Sequence, residues 1–99
     1  MARFDVHPRR RGAGYLLDVQ SDHLDHLPTR MVVPLLPESA ALPAIRDLTP
    51  ILHLGKERLA MMTQYMAAAP RRELGRPVGN LLAQADDITR ALDILLTGF

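Results

Sequence analysis

The sequence has no cysteine and no tryptophan, and its only aromatic residues are two phenylalanines and two tyrosines. Without cysteine the chain cannot form disulfides or thiolate metal sites, which is typical of a protein in a reducing cytoplasm. The net charge is only +1, so neither disorder nor a strongly cationic nucleic-acid binder is favoured. No apolar run approaches the roughly 20 residues of a membrane-spanning helix, and no signal-peptide core is recognisable. We therefore expect a cytoplasmic protein without a membrane partner.

The length of 99 residues predicts one domain, residues 1–99, because so short a chain cannot close two separate cores. No catalytic set is recognisable in it. A glycine-rich phosphate loop is absent, and Ser21 and Ser39 lie in turn contexts without a nucleophile motif. His53 lies in an apolar run, where a hydrogen-bonded packing residue is favoured over a general base. We expect no catalytic residue, no resident metal and no cofactor.

Short apolar runs separated by turn formers predict several antiparallel strands rather than a parallel sheet with crossover helices. The segments expected to form strands are residues 4–6, 15–19, 31–36, 51–54, 59–62, 66–69 and 71–74. Pro34 lacks an amide proton, so we expect it at an edge, at a bulge or where irregular chain begins. Pro37 should end the third strand, and residues 38–50 are interpreted as a loop with a possible helical turn at its centre.

The last segment changes to a helical period. Five apolar residues share one helical face, and they are Ile88, Ala91, Leu92, Leu95 and Leu96. Core packing is the simplest interpretation of this stripe. Asp86 or Asp87 is predicted to cap the helix start, Asp86 can pair with Arg90, and Gly98 is predicted to end the helix in the left-handed conformation. The pattern therefore predicts a mainly β, α+β fold, with one C-terminal helix against a curved antiparallel sheet.

Several short motifs occur in a fixed order that resembles the CcdB family of toxins. They are Asp18-Val19-Gln20-Ser21-Asp22, Arg30-Met31-Val32-Val33-Pro34-Leu35, His53-Leu54-Gly55, Met61-Met62-Thr63 and the ending Gly98-Phe99. The resemblance runs from Phe4 to the last residue with almost no change in length. It implies an SH3-like barrel and a dimeric, non-enzymatic poison of bacterial DNA gyrase, which traps gyrase while its DNA is cut. It also implies a type II toxin–antitoxin gene pair, of the kind that serves plasmid maintenance.

The resemblance also implies which residues contact the gyrase A subunit. The toxins of the family end on Trp-Gly-Ile, and an Asn lies four residues before that Trp. By position these residues become Asp93, Thr97, Gly98 and Phe99, so only the glycine is kept. Phe99 could supply the aromatic area that Thr97 lacks. Two further gyrase-facing positions are His23 and Leu24, and only Leu24 keeps the apolar character of the family.

Two polar clusters allow more than one interpretation. Residues 22–26 combine histidines and carboxylates, but their spacing does not define the ligand geometry of a metal site, and a solvated turn is favoured. Arg9, Arg10 and Arg11 are either a solvated turn or a surface that attracts the disordered C-terminal tail of a cognate antitoxin. Operator DNA is expected to be contacted only through the antitoxin complex.

The apolar helix end suggests a homodimer seam formed by Leu95, Leu96 and Phe99, because a two-fold axis there would shelter all three side chains. Three alternatives to the gyrase poison remain open. One is an RNA-cleaving toxin on the same barrel. The others follow from the missing Trp of the family: a weakly toxic or non-toxic homologue that binds antitoxin, and a protein directed at another topoisomerase.

Overall fold

A computed structural model describes residues 1–41 and 43–98. Within them the chain forms seven strands, one α-helix and several short 3₁₀ turns. The strands and the helix are β1 (Asp5–Pro8), β2 (Tyr15–Asp18), β3 (Thr29–Pro37), β4 (Ile51–Leu54), β5 (Glu57–Met61), β6 (Ala67–Pro70), β7 (Gly79–Asn80) and α1 (Ala85–Thr97). No helix among the described residues is both long enough and apolar enough to cross a membrane.

All the strand pairs are antiparallel, and the sheet runs in the order β4-β5-β3-β2-β1-β7. The long strand β3 organises it. One edge of β3 pairs with β2, while its other edge pairs first with β6 through residues 29–32 and then with β5 through residues 35–37. The sheet curls into a half-barrel around one core, as the sequence predicts.

Pro34 lies inside β3, so of the three expected positions the start of irregular chain is wrong. The backbone of Pro34 faces the side of β3 on which the neighbour changes from β6 to β5. Its ring nitrogen therefore falls between Val32, the last residue paired with β6, and Leu35, the first paired with β5. A missing N–H is tolerated at this gap, and the Pro34 carbonyl still accepts the Met62 N–H at 2.9 Å.

The core is an apolar cluster drawn from the inner faces of the strands and from α1. Its buried members are Phe4, Val6, Leu17, Val19, Val33, Leu35, Leu52, Leu59, Met61, Leu81, Ile88, Ala91 and Leu92. The predicted stripe on the helix is therefore correct over its first three members. It is wrong for Leu95 and Leu96, which are 37% and 67% exposed and do not belong to the core cluster.

The helix also begins differently from the prediction. A 3₁₀ turn, Leu82–Gln84, leads into α1, and the residue at the cap is Gln84, which makes no side-chain cap bond. Asp86 and Asp87 instead lie in the first helical turn, where their charges favour the positive end of the helix dipole. At the other end the prediction is confirmed, because Gly98 adopts a left-handed conformation with φ of 83°.

Two further differences concern short elements. Residues 71–74 do not form a strand; Arg71–Glu73 is a 3₁₀ turn that leaves the sheet after Pro70. Strand β7, only two residues long, carries no apolar alternation and is not predicted from the sequence. The loop between β3 and β4 is confirmed. A 3₁₀ turn, Glu38–Ala40, lies at its start, and nearer its centre the Leu48 and Thr49 N–H groups both donate to the Ile45 carbonyl.

Candidate functional site

Two of the motifs that carry the family resemblance meet in a buried ion pair. Arg30 from β3 places its Nε 2.7 Å from Oδ2 of Asp18 at the end of β2, and both side chains are 0% exposed. The other carboxylate oxygen of Asp18 accepts the Gln20 N–H at 3.0 Å. Burying two charges costs more free energy than packing apolar side chains of similar size. The presence of such a pair is therefore weak evidence for a gain in stability.

The ion pair supports the loop of residues 21–25, which contains the 3₁₀ turn Asp22–Leu24. The second Arg30 contact is Nη1 to Oδ1 of Asp25 at 3.0 Å. The Gln20 side chain bridges the two sides of the loop, because its Nε2 donates to the Leu24 carbonyl at 2.9 Å and its Oε1 accepts the Met31 N–H at 2.9 Å. Polar contacts thus fix both ends of the 21–25 loop.

A second arginine reaches the same loop from a distant part of the chain. The Arg71 guanidinium donates to the carbonyl of Asp25 and lies 3.7 Å from the Asp25 carboxylate. Arg71 also donates its backbone N–H to the Pro28 carbonyl at 2.9 Å. Asp25 is therefore held by two arginines, Arg30 from β3 and Arg71 from the 3₁₀ turn after β6.

The 21–25 loop displays His23 and Leu24. Both side chains are exposed, and Leu24 remains 45% exposed although it is apolar. The carboxylates of this stretch are occupied by protein donors, because Asp22 accepts the Arg3 N–H at 2.9 Å and Asp25 pairs with Arg30. The loop therefore has the character of a contact surface rather than of a set of open ligands.

The predicted residues of the helix end also lie at the surface. Asp93, Thr97 and Gly98 are exposed, and Phe99 lies outside the described residues. Local hydrogen bonds hold this end of the helix. Thr97 Oγ1 donates to the Asp93 carbonyl at 2.6 Å, and the Gly98 N–H lies 3.1 Å from the carbonyl oxygens of Asp93 and Ile94. None of the hydrogen bonds found in the described part of the chain joins this end to the 21–25 loop.

A third surface surrounds the loop between β1 and β2. A pocket of about 520 Å³ is lined by Pro8, Arg9, Arg10, Arg11, Leu16, Ala69, Glu73 and Leu74. Arg10 Nε donates to the Glu73 carbonyl at 3.0 Å, and Arg9 Nη1 donates to the Ala13 carbonyl at 3.3 Å. The ion pairs of the described residues do not involve these arginines. Together the basic rim and the apolar lining can bind an anionic group beside an apolar side chain.

The sequence analysis missed the residues that support these surfaces. Arg71 contacts a loop more than 40 positions away in the sequence, and no local pattern identifies such a contact. His7 is fully buried, and its Nδ1 lies 2.7 Å from the Gly75 carbonyl oxygen. His53 was expected to be a packing residue, but its side chain is exposed.

Comparison with known proteins identifies a family and a shared fold. The family model described as CcdB protein matches residues 3–98. The fold is also similar to an endoribonuclease in complex with its cognate antitoxin from a mycobacterial species. In that comparison the TM-score is 0.77 and the identity 18%, over 97% of this chain and 94% of that chain. A second similar structure is the Mycobacterium tuberculosis toxin MazF-mt6, with a TM-score of 0.66 and 18% identity over 90% and 92% of the two chains. At 18% identity, these two likenesses show that this chain shares their fold and no more.

Proposed function

This chain belongs to the CcdB family of toxin–antitoxin toxins, and from that premise we propose that it binds the DNA gyrase A subunit and traps gyrase on cleaved DNA. It would act in the cytoplasm by protein binding rather than by catalysis of its own. A cognate antitoxin would hold it inactive.

This proposal rests on one observation, the exposure of the apolar Leu24 side chain at the surface. An apolar side chain that is 45% exposed would gain free energy by transfer into a partner. It lies on a loop that is fixed by a buried Asp18–Arg30 pair, so little conformational entropy is lost when the partner docks. The family resemblance assigns this position, with that of His23, to the surface that faces gyrase.

The helix end supplies the second part of the proposed gyrase surface. Asp93, Thr97, Gly98 and Phe99 occupy the positions of the family's docking residues. Large flat anchors often carry much of the binding energy of an interface, and Thr97 cannot act as one. Asp93 brings a charge that must lose water on burial. We therefore expect weaker gyrase binding than a Trp-containing toxin would have.

We propose that Arg9, Arg10 and Arg11 bind the antitoxin. Their pocket combines three cations with an apolar lining of Leu16, Ala69 and Leu74. This chemistry matches a disordered acidic tail that carries an apolar residue among its carboxylates. Repression of the shared operon would follow from DNA contacts made mainly by the antitoxin.

A homodimer is the assembly that best explains the exposed helix end. Leu95 is 37% exposed and Leu96 is 67% exposed in the isolated chain, and a two-fold axis beside them and Phe99 would remove both leucines from water. Light scattering at micromolar concentration should then give twice the monomer mass of 11.0 kDa. Leu96→Ala should shift the protein toward monomer, while a strictly monomeric wild type would rule out this seam.

The proposal is tested by expressing the chain without antitoxin and measuring growth, covalent gyrase–DNA complexes, DNA supercoiling and RNA decay. Covalent gyrase–DNA complexes are expected, together with growth arrest. Leu24→Asp should remove both effects, because it places a charge in the proposed interface. Leu82→Asp is the matched control, since Leu82 is 66% exposed and lies outside the proposed surface. RNA decay with intact supercoiling would favour the RNA-cleaving alternative, and normal growth would favour a non-toxic homologue.

A further inference from the structure

The 21–25 loop has no apolar support of its own. Its 3₁₀ turn contains no buried residue, and Leu24, its single apolar side chain, points into solvent. Loops without buried apolar contacts normally open at low free-energy cost. The conformation of this loop must therefore depend on the polar contacts made to it.

Those contacts come from two directions. From inside the sheet, Arg30 and Gln20 hold Asp25 and the Leu24 carbonyl, at 3.0 Å and 2.9 Å. From outside, Arg71 donates to the Asp25 carbonyl, and its Nη1 also lies 3.5 Å from the Leu27 carbonyl oxygen. The inner contacts belong to the core of the protein. Arg71 is different, because it is partly exposed and reaches the loop from the 3₁₀ turn after β6.

We propose that Arg71 is a positioning residue for target binding, and this inference rests on the proposed gyrase function. By fixing the carbonyls of Asp25 and Leu27, it restricts the 21–25 loop to the conformation in which Leu24 projects outward. Arg71 need not touch the target. A loop that is already ordered loses less entropy on docking than one that must be ordered by its partner.

The electrostatics favour this role over a contribution to global stability. A partly exposed arginine at 3.7 Å from a half-exposed carboxylate adds little to folding stability. Its donation to backbone carbonyls, in contrast, acts on chain geometry directly. Arg71 should therefore affect the loop and the target affinity while leaving the unfolding midpoint nearly unchanged.

The test uses the full chain and three variants at neighbouring positions. Arg71→Gln removes the guanidinium but keeps the backbone N–H bond to Pro28. Arg71→Lys keeps the charge but cannot donate to several oxygens in a plane. Arg72→Gln is the matched control, because Arg72 is exposed and makes no side-chain hydrogen bond among the described residues. Hydrogen exchange of the amides of residues 22–25 measures loop order, and titration with the gyrase A subunit measures affinity.

We expect Arg71→Gln to speed loop exchange by about tenfold and to weaken gyrase binding by a similar factor. Arg71→Lys should fall between this variant and the wild type, and Arg72→Gln should match the wild type. A double-mutant cycle separates positioning from direct contact. If Arg71 acts through Leu24, Arg71→Gln should weaken binding by less than about twofold once Leu24→Ala is present.

Two results would overturn the inference: unchanged loop exchange in Arg71→Gln, or a binding loss that adds fully to that of Leu24→Ala. A wild type that fails to bind gyrase would instead remove the proposed function. In that case the exchange measurement still decides whether Arg71 orders the loop, so the two failures are distinguishable.

Discussion

The side chain of Gln84 takes the place of a neighbouring strand beside His53. Its Oε1 accepts the His53 N–H at 2.8 Å, and its Nε2 donates to the His53 carbonyl at 2.7 Å. Strand β4 lies at one edge of the sheet, where unpaired backbone groups invite pairing with another chain. The residue before α1 thus covers the edge and ties the helix to the sheet.

Gln84→Ala should destabilise the protein by about 1–2 kcal/mol, because two hydrogen bonds are replaced by contacts with water. Gln84→Glu should cost less, since a carboxylate can still accept the His53 N–H although it cannot donate. The free energy of unfolding in urea measures both effects. If both variants lost the same free energy of unfolding, the bond that Gln84 accepts from the His53 N–H would not contribute to stability.

The contact between Gln84 and His53 illustrates what the sequence could and could not predict. The hairpin of β4 and β5 follows from two apolar runs around Gly55, and the helix follows from its 3.6-residue period. The helix start was missed because Gln84 bonds to a strand 31 positions away, whereas capping rules consider only the nearest residues. Periodicity therefore predicts the elements, and long-range polar contacts decide where they end.

In the candidate site, too, the sequence predicts some residues and misses the long-range polar contacts that support them. The positions of His23, Leu24 and the helix end came from motif resemblance, and the structure places all the described ones at the surface. The buried Asp18–Arg30 pair that supports the loop was not predicted, because a charged residue in an alternating strand is normally assigned to the solvent side. Arg30 instead points inward, where Asp18 neutralises it.

The Arg30 network predicts a large loss of stability from a single substitution. Arg30→Met would leave the fully buried Asp18 without its cation, and breaking a buried pair in this way costs about 3–5 kcal/mol. Asp18→Asn combined with Arg30→Met should be less damaging than the sum of the two single changes. Guanidinium unfolding of all three variants tests this. Arg58→Met is the control, because the Arg58–Glu38 pair is exposed and should contribute little.

Tyr15 predicts a pH dependence at the alkaline end. Its hydroxyl donates to Oε2 of Glu57 at 2.6 Å, and this hydrogen bond raises the pKa of Tyr15 above its usual value, with burial and the charge of Glu57 acting in the same direction. A raised pKa means that the stabilisation is complete below the unfolded pKa of about 10 and is lost as the pH rises through the folded pKa.

Tyr15→Phe should therefore lower the melting temperature at pH 8, and the difference from wild type should shrink above pH 10. Glu57→Gln should remove the late-titrating phenol from the ultraviolet absorbance of the folded protein. A stability difference that stays constant from pH 8 to pH 11 would show that the hydrogen bond is not responsible.

The arginine loop predicts a kinetic effect on antitoxin binding. Replacing Arg9, Arg10 and Arg11 with Gln should slow association and flatten its dependence on salt, because electrostatic steering is lost. Stability should barely change. The control replaces Arg46, Arg76 and Arg90 with Gln, which removes the same charge from exposed positions elsewhere. Stopped-flow association at two salt concentrations is the measurement, and equal rates for both triple variants would show that net charge alone matters.

The helix end predicts that target binding can be strengthened. Thr97→Trp should restore the anchor of the family and add about 2 kcal/mol or more to the binding of the gyrase A subunit. The cost to the helix should be small, since Thr97 is exposed and its hydroxyl bonds only to the Asp93 carbonyl among the described residues. Asp93→Asn should act in the same direction, because a neutral amide loses water more easily than a carboxylate.

Deletion of Gly98 and Phe99 should abolish gyrase binding and leave antitoxin binding largely intact, because the two partners are expected on different surfaces. The measurement is a pull-down of the gyrase A subunit with each variant, with antitoxin titrated in parallel. Leu82→Trp, at an exposed position away from the C-terminal end of the helix, controls for non-specific binding by an added aromatic side chain. If the wild type, Thr97→Trp and Asp93→Asn all fail to bind gyrase while antitoxin still binds, this chain is a non-toxic homologue, because even a restored anchor then finds no matching surface.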